Sequence, residues 1–253
     1  MRLSRRDFLA TSGLMMGVMA AGKLFEGKAW AYSYGSEFEY AELDPDEVAW
    51  EAYRHYFKKW CCSTVLEGLV SQLRKTVGGP WNDFPVDAYR WAHGGLAGWG
   101  ALCGTMVGAG IVIGLVTKDT DTAEAMVNDI AFFYSYTPLP KYEPRKILKA
   151  EIQNMSVAGT PVCHISVGRW MAAEGVAFLT DERAERCARL SADIARQAAL
   201  YLNEWLRNGK KYKPRNRVLY NLLHNGITSQ NNCMDCHGQN VPNPEETYAT
   251  LKK

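Results

Sequence analysis

From Gly94 to Thr117 the chain runs without one charged side chain. A helix that is apolar all round has to be buried, in lipid or in the middle of a protein. The run is long enough to span a bilayer. It also carries Gly94, Gly95, Gly98, Gly100, Gly104, Gly108, Gly110 and Gly114. On a helix, the spacing by four of Gly100, Gly104 and Gly108 places them on one face, where another backbone can come close. We read the run as a central buried helix around which the other helices pack.

The flanking sequence supplies those helices. Asp44 is an N-cap ahead of Pro45, and apolar residues recur at threes and fours from Asp46 to Thr76, where Gly78-Gly79-Pro80 stops them. Asp119 to Tyr136 reads as a helix capped by Asp119 or Asp121, with Ala125, Ile130, Phe132 and Phe133 inside. Pro144 to Met155 reads as a short helix. Gly159-Thr160-Pro161 opens one that runs to about Phe178, and Thr180 caps a long one to Asn208, closed by Gly209. Convincing strand alternation is missing, so the expected class is all-α: a bundle-like helical body over residues 32–209 with a short, mostly irregular segment over 210–253.

Residues 1–31 read as an export signal. Ser4-Arg5-Arg6-Asp7-Phe8-Leu9 is a twin-arginine motif, Leu14 to Ala21 is a short apolar run, and Ala29-Trp30-Ala31 is a small-x-small cleavage site. The expectation is a periplasmic protein that starts at Tyr32. Of 29 basic and 27 acidic residues, five and two lie in the signal, leaving a body close to neutral. That balance asks for neither nucleic acid nor an anionic membrane.

Near the other end stands Cys233-Met234-Asp235-Cys236-His237. Two cysteines two residues apart, followed at once by histidine, form the attachment pattern of a c-type haem. Cys233 and Cys236 would form thioethers to the two vinyl groups, and His237 would ligate the iron from the proximal side. A zinc site or a redox dithiol would leave His237 unexplained. For the distal side the histidines on offer are His55, His93, His164 and His224, and His224 is nearest in sequence. The tail offers few apolar side chains, so the ring has to be covered by the body or by a second subunit. That argues for a homodimer.

Five further cysteines, Cys61, Cys62, Cys103, Cys163 and Cys187, fall in the apolar body. Disulfides would leave an odd thiol over. Buried free thiols and four thiolate ligands to an iron–sulfur cluster are the other readings, and spacing alone does not choose among the three.

Cys62-Ser63-Thr64-Val65-Leu66, Cys103-Gly104-Thr105-Met106-Val107-Gly108, then Cys163 and Cys187 in order, ending in the haem motif, give the chain a family likeness. It resembles the split-Soret cytochromes c, and its body resembles a wider family of redox-active proteins with four spaced cysteines. The resemblance implies a helical body with a non-haem iron–sulfur centre, of [2Fe-2S] type, on Cys62, Cys103, Cys163 and Cys187, with Cys61 as the alternate first ligand. It also implies a haem ligated by two histidines, and homodimerisation. The family carries two haems per subunit. This chain has one complete motif, and Cys163-His164 has Thr160 where a first cysteine would stand. One haem c per chain is expected, two if Cys163 also attaches. The expected function is an exported electron-transfer cytochrome that meets a periplasmic redox partner. The alternatives are an oxidoreductase whose body cysteines act as a dithiol fed by the haem, or a haem-based sensor. A catalytic triad, paired catalytic carboxylates and a phosphate loop do not stand out, so an electron carrier is favoured over an enzyme with its own substrate.

Overall fold

Asp44 caps the first helix as its sequence requires, its carboxylate accepting the Asp46 and Glu47 N–H groups, with Pro45 in the first turn. In the computed structural model, which describes residues 38–215, this helix, α1, spans Pro45–Thr76. It is not one rod. Trp60 takes a non-helical conformation (φ 59°, ψ −175°), and beyond it the chain turns back along itself. The Thr64 hydroxyl donates to the Ala52 carbonyl. A Cβ built on Gly68 would lie 2.7 Å from the Val48 carbonyl oxygen. The Gln72 amide joins both backbone polar groups of Asp44, at 2.9 Å each. Residues 52 and 64, 48 and 68, and 44 and 72 thus face each other, an antiparallel helical hairpin in register every fourth residue. The expectation of a single helix from Asp46 to Thr76 is corrected to a hairpin of two arms, 45–59 and 61–76.

The charge-free run is helical only from Gly104 to Thr117 (α2). Before it, Gly94, Gly95, Leu96, Ala97 and Gly98 all have positive φ, between 50° and 86°, a left-handed turn that cannot join a right-handed helix. Gly100 is therefore not on the helix. Gly104 and Gly108 are, and there the close-approach reading holds. A Cβ on Gly104 would fall 1.8 Å from the Ala92 carbonyl oxygen, and one on Gly108 would fall 2.7 Å from that of Cys62. No described helix is long and apolar enough to cross a membrane.

α3 (Thr120–Tyr136) is capped by Asp119, which accepts the Thr122 N–H. Ala125 and Ile130 are buried as expected, but Phe132 is on the surface, against Tyr136, and Phe133 is only half-buried. The expected helix over Pro144–Met155 does not form. Its backbone donors are taken by distant side chains: Leu148 N–H by the Tyr53 hydroxyl, and Gln153 and Asn154 N–H by the Glu174 carboxylate. α4 (Cys163–Glu174) ends at Gly175 in the left-handed conformation, a few residues short of Phe178. α5 (Asp181–Arg207) is capped by Thr180 as read.

α5 packs most extensively along α1, with α2 against both and α3 beyond. Buried Asn203 on α5 takes the Leu43 N–H and the Tyr40 hydroxyl and donates to the Leu43 carbonyl. This is an all-α fold. Among the described residues, extended pairing is limited to two isolated bridges, Leu102 with Val162 and Leu139 with Ser156.

Candidate thiol site

All five body cysteines are buried and free of disulfides. Three of them stand at helix starts. Cys61 opens the second arm of α1, directly after the Trp60 turn. Cys103 is the N-cap of α2, and Cys163 is the first residue of α4. The last two are held side by side by a short antiparallel pairing: Cys103 N–H donates to the Pro161 carbonyl at 3.1 Å, and Cys163 N–H to the Ala101 carbonyl at 2.7 Å. Helices α2 and α4 therefore begin next to each other and diverge. The N-terminal end of a helix carries partial positive charge from unpaired N–H groups, which favours a thiolate over a thiol.

Cys187 comes in on α5. Its neighbour Arg186 is 2% exposed. The Arg186 guanidinium reaches the Cys187 sulfur at 3.8 Å and donates to the Ser166 hydroxyl at 2.6 Å.

The thiols act on one another. Cys103 is lowered to about 6, first by its hydrogen bond with Cys163 and then by contact with Thr105 against the opposing cost of burial. Its sulfur lies 3.2 Å from the Thr105 hydroxyl. Cys163 is pushed far up by that same bond and by burial, with Cys187 and Cys61 adding to it. Cys61 is raised by burial and then by the charges of Cys103 and Cys187. Cys163 thus feels three of the other thiols and Cys61 feels two of them. Cys62, raised to about 12 by burial, feels Cys103 alone of the four. Cys61 rests its Cβ against Gly104, 3.0 Å from where a Cβ there would be.

Buried tyrosines complete the surroundings. Burial raises the Tyr56 hydroxyl first, and the charges of Cys187 and Cys61 add to this. Tyr134 is raised by burial and then by Cys103. Among the described residues, no group of three or more His, Cys, Asp or Glu stands ready to hold an ion. The four thiols are neighbours and not a finished coordination shell. In donor type, burial and positive surroundings they fit a thiolate-bound iron centre.

Of the histidines, His55 lies on the first arm with Nδ1 2.9 Å from the Glu51 carbonyl. His93 lies tilted against Trp60, ring centroids 4.5 Å apart, and His164 is exposed beside Gly100. His224, Cys233, Cys236, His237 and the signal over 1–31 lie outside the described residues. Sequence reasoning missed Trp60 and Arg186. A tryptophan beside a cysteine pair carries no turn signal, and an arginine on an amphipathic helix reads as surface.

The sequence matches the family described as "Putative redox-active protein (C_GCAxxG_C_C)" over residues 60–201. It is 31% identical to the split-Soret cytochrome c of Desulfovibrio desulfuricans (strain ATCC 27774 / DSM 6949 / MB) over 231 residues, 84% of this chain and 82% of that protein. A solved structure, described as a novel iron centre in the split-Soret cytochrome c of that organism, superposes with a TM-score of 0.67 at 29% identity. It covers 82% of this chain and 84% of the solved one. The chain belongs to the split-Soret cytochrome c family, its body built on the four-cysteine redox-active domain.

Proposed function

We propose that this is an exported electron-transfer cytochrome with one covalent haem and an iron–sulfur centre in its helical body. The convergence of Cys61, Cys103, Cys163 and Cys187, three of them at helix N-termini, carries the reading. Those four would hold the iron, with Cys61 in place of Cys62 as the ligand from α1. Cys233 and Cys236 would hold the haem, with His237 proximal and His224 distal. A [2Fe-2S] cluster and a haem c, when bound, each take up and release one electron. The chain's own share is to keep water from the thiols, to aim helix N-termini at their negative charge, and to hold the ligands on rigid helices so that little rearranges on electron transfer. A homodimer covering the haem and a periplasmic redox partner complete the proposal. The twin-arginine motif in the sequence supports it, because that route carries folded proteins, often with a cofactor inserted beforehand.

The test is iron per haem in protein purified without oxygen, by elemental analysis beside a haemochrome assay. The reading expects one haem per chain and about two further irons. Iron equal to haem would remove the cluster.

The Cys103–Cys163 pair favours a second reading. A thiol lowered to about 6 and hydrogen-bonded to a second thiol is also the arrangement of a redox dithiol. Iron-free protein that alkylates selectively at Cys103 near pH 7 and cycles through a Cys103–Cys163 disulfide would establish it.

A further inference from the structure

Arg186 is among the largest fully buried side chains of the body. Its hydrogen-bond partners are the Ser166 hydroxyl at 2.6 Å, the Ser166 carbonyl at 3.4 Å and the Cys187 sulfur at 3.8 Å. Its Nε is buried with no partner. Among the described residues no carboxylate forms an ion pair with it. Buried Glu185, the next residue along, pairs instead with Arg189 at 2.9 Å and accepts the Tyr53 hydroxyl. A guanidinium does not shed its proton, and a buried charge without a counter-charge is strongly destabilising. The acidic group that the guanidinium touches is the Cys187 thiol, at 3.8 Å. The missing counter-charge is therefore on the thiol side.

We propose that Arg186 is the built-in counter-cation of the body's thiolate-bound centre and sets that centre's reduction potential. The inference rests on the cluster reading above. Such a centre, held by four thiolates, is anionic, and one-electron reduction makes it more negative by one charge. A fixed cation beside it stabilises the reduced form more than the oxidised form, and so raises the potential. Ser166 positions the guanidinium through the 2.6 Å bond.

The test is a dithionite titration of the whole protein, with the non-haem signal followed by electron paramagnetic resonance and the haem by its optical bands. In Arg186→Met the non-haem centre should become harder to reduce, its one-electron equilibrium falling at least tenfold, which is about 59 mV. Arg186→Lys, which keeps the charge, should recover most of the shift, and the haem potential should stay where it was. Iron bound in full with an unchanged potential in Arg186→Met overturns the proposal and leaves the cluster standing. Wild-type protein without non-haem iron overturns both. If Arg186→Met does not fold, Ser166→Ala gives the same reading. A smaller fall in the same direction supports the role, and an unchanged potential ends it.

Discussion

Asp193 is a carboxylic acid turned inward from α5, accepting the Lys141 N–H at 2.8 Å. Burial raises it to about 7, against the opposing pull of the Lys141 and Tyr142 N–H groups. The folded state thus prefers the neutral form. Its contribution to stability is complete below the ordinary carboxylate value of 3.8 and is lost as pH rises through about 7. At about 1.4 kcal/mol for each pH unit across that window, the loss reaches up to roughly 4 kcal/mol. Denaturant unfolding of Asp193→Asn, which keeps an acceptor, should show a flatter profile between pH 4 and 8 than the parent and higher stability at pH 8. At this scale the sequence was readable wherever the chemistry is local. Asp44, Asp119 and Thr180 cap their helices because a short oxygen-bearing side chain meets free N–H groups one turn on. Which of two adjacent cysteines faces the site was not readable. It depends on where the hairpin turns, and at the turn Trp60 has Arg90 5.0 Å over its ring and His93 tilted against it.

Elements follow periodicity until the backbone finds other partners. Pro144–Met155 has helix-forming residues, yet its N–H groups are claimed by Tyr53 and Glu174, and tertiary bonds win over weak local preference. The charge-free run was rightly read as buried only over its helical part, Gly104–Thr117, whereas Ala97 to Trp99, Ala101 and Leu102 are exposed, Trp99 at 88%. It was wrongly read as helical throughout, since periodicity does not show a left-handed turn. Its glycines separate by environment, and substitution should separate them too. A Cβ at Gly104 meets backbone at 1.8 Å, whereas one at Gly114 meets nothing within 4 Å. Gly104→Ala should cost about 3 kcal/mol or more by overpacking and disturb Cys61 and Cys103. Gly114→Ala should be neutral or stabilise by about 0.5–1 kcal/mol. Thermal melts of the two variants, read beside iron content, check both. A low melting point for Gly114→Ala would mean that α2 is covered there.

For the whole molecule, the terminal haem motif stands out as a pattern because its five residues are contiguous, and it lies outside the described residues. The thiol site was legible only as a roster, because its members come from three helices and a hairpin turn. Binding to the folded state alone stabilises it, by about 2.7 kcal/mol at a hundredfold excess over Kd. In a body of this size each kcal/mol is worth about 2–4 °C. Anaerobic removal of non-haem iron should therefore lower the melting temperature by about 5–10 °C while the haem bands persist. No change would mean that the thiols carry no ion. The sites at 61, 103, 163 and 187 also divide the chain into spans of about 42, 60 and 24 residues. An ion that joins them ties three large loops at one knot, and closing loops of that length restricts an unfolded chain severely. With the proposed centre bound, the four sulfurs would then serve as a cross-link as well, giving a body whose described cysteines are free of disulfides the topological restraint that disulfides provide elsewhere.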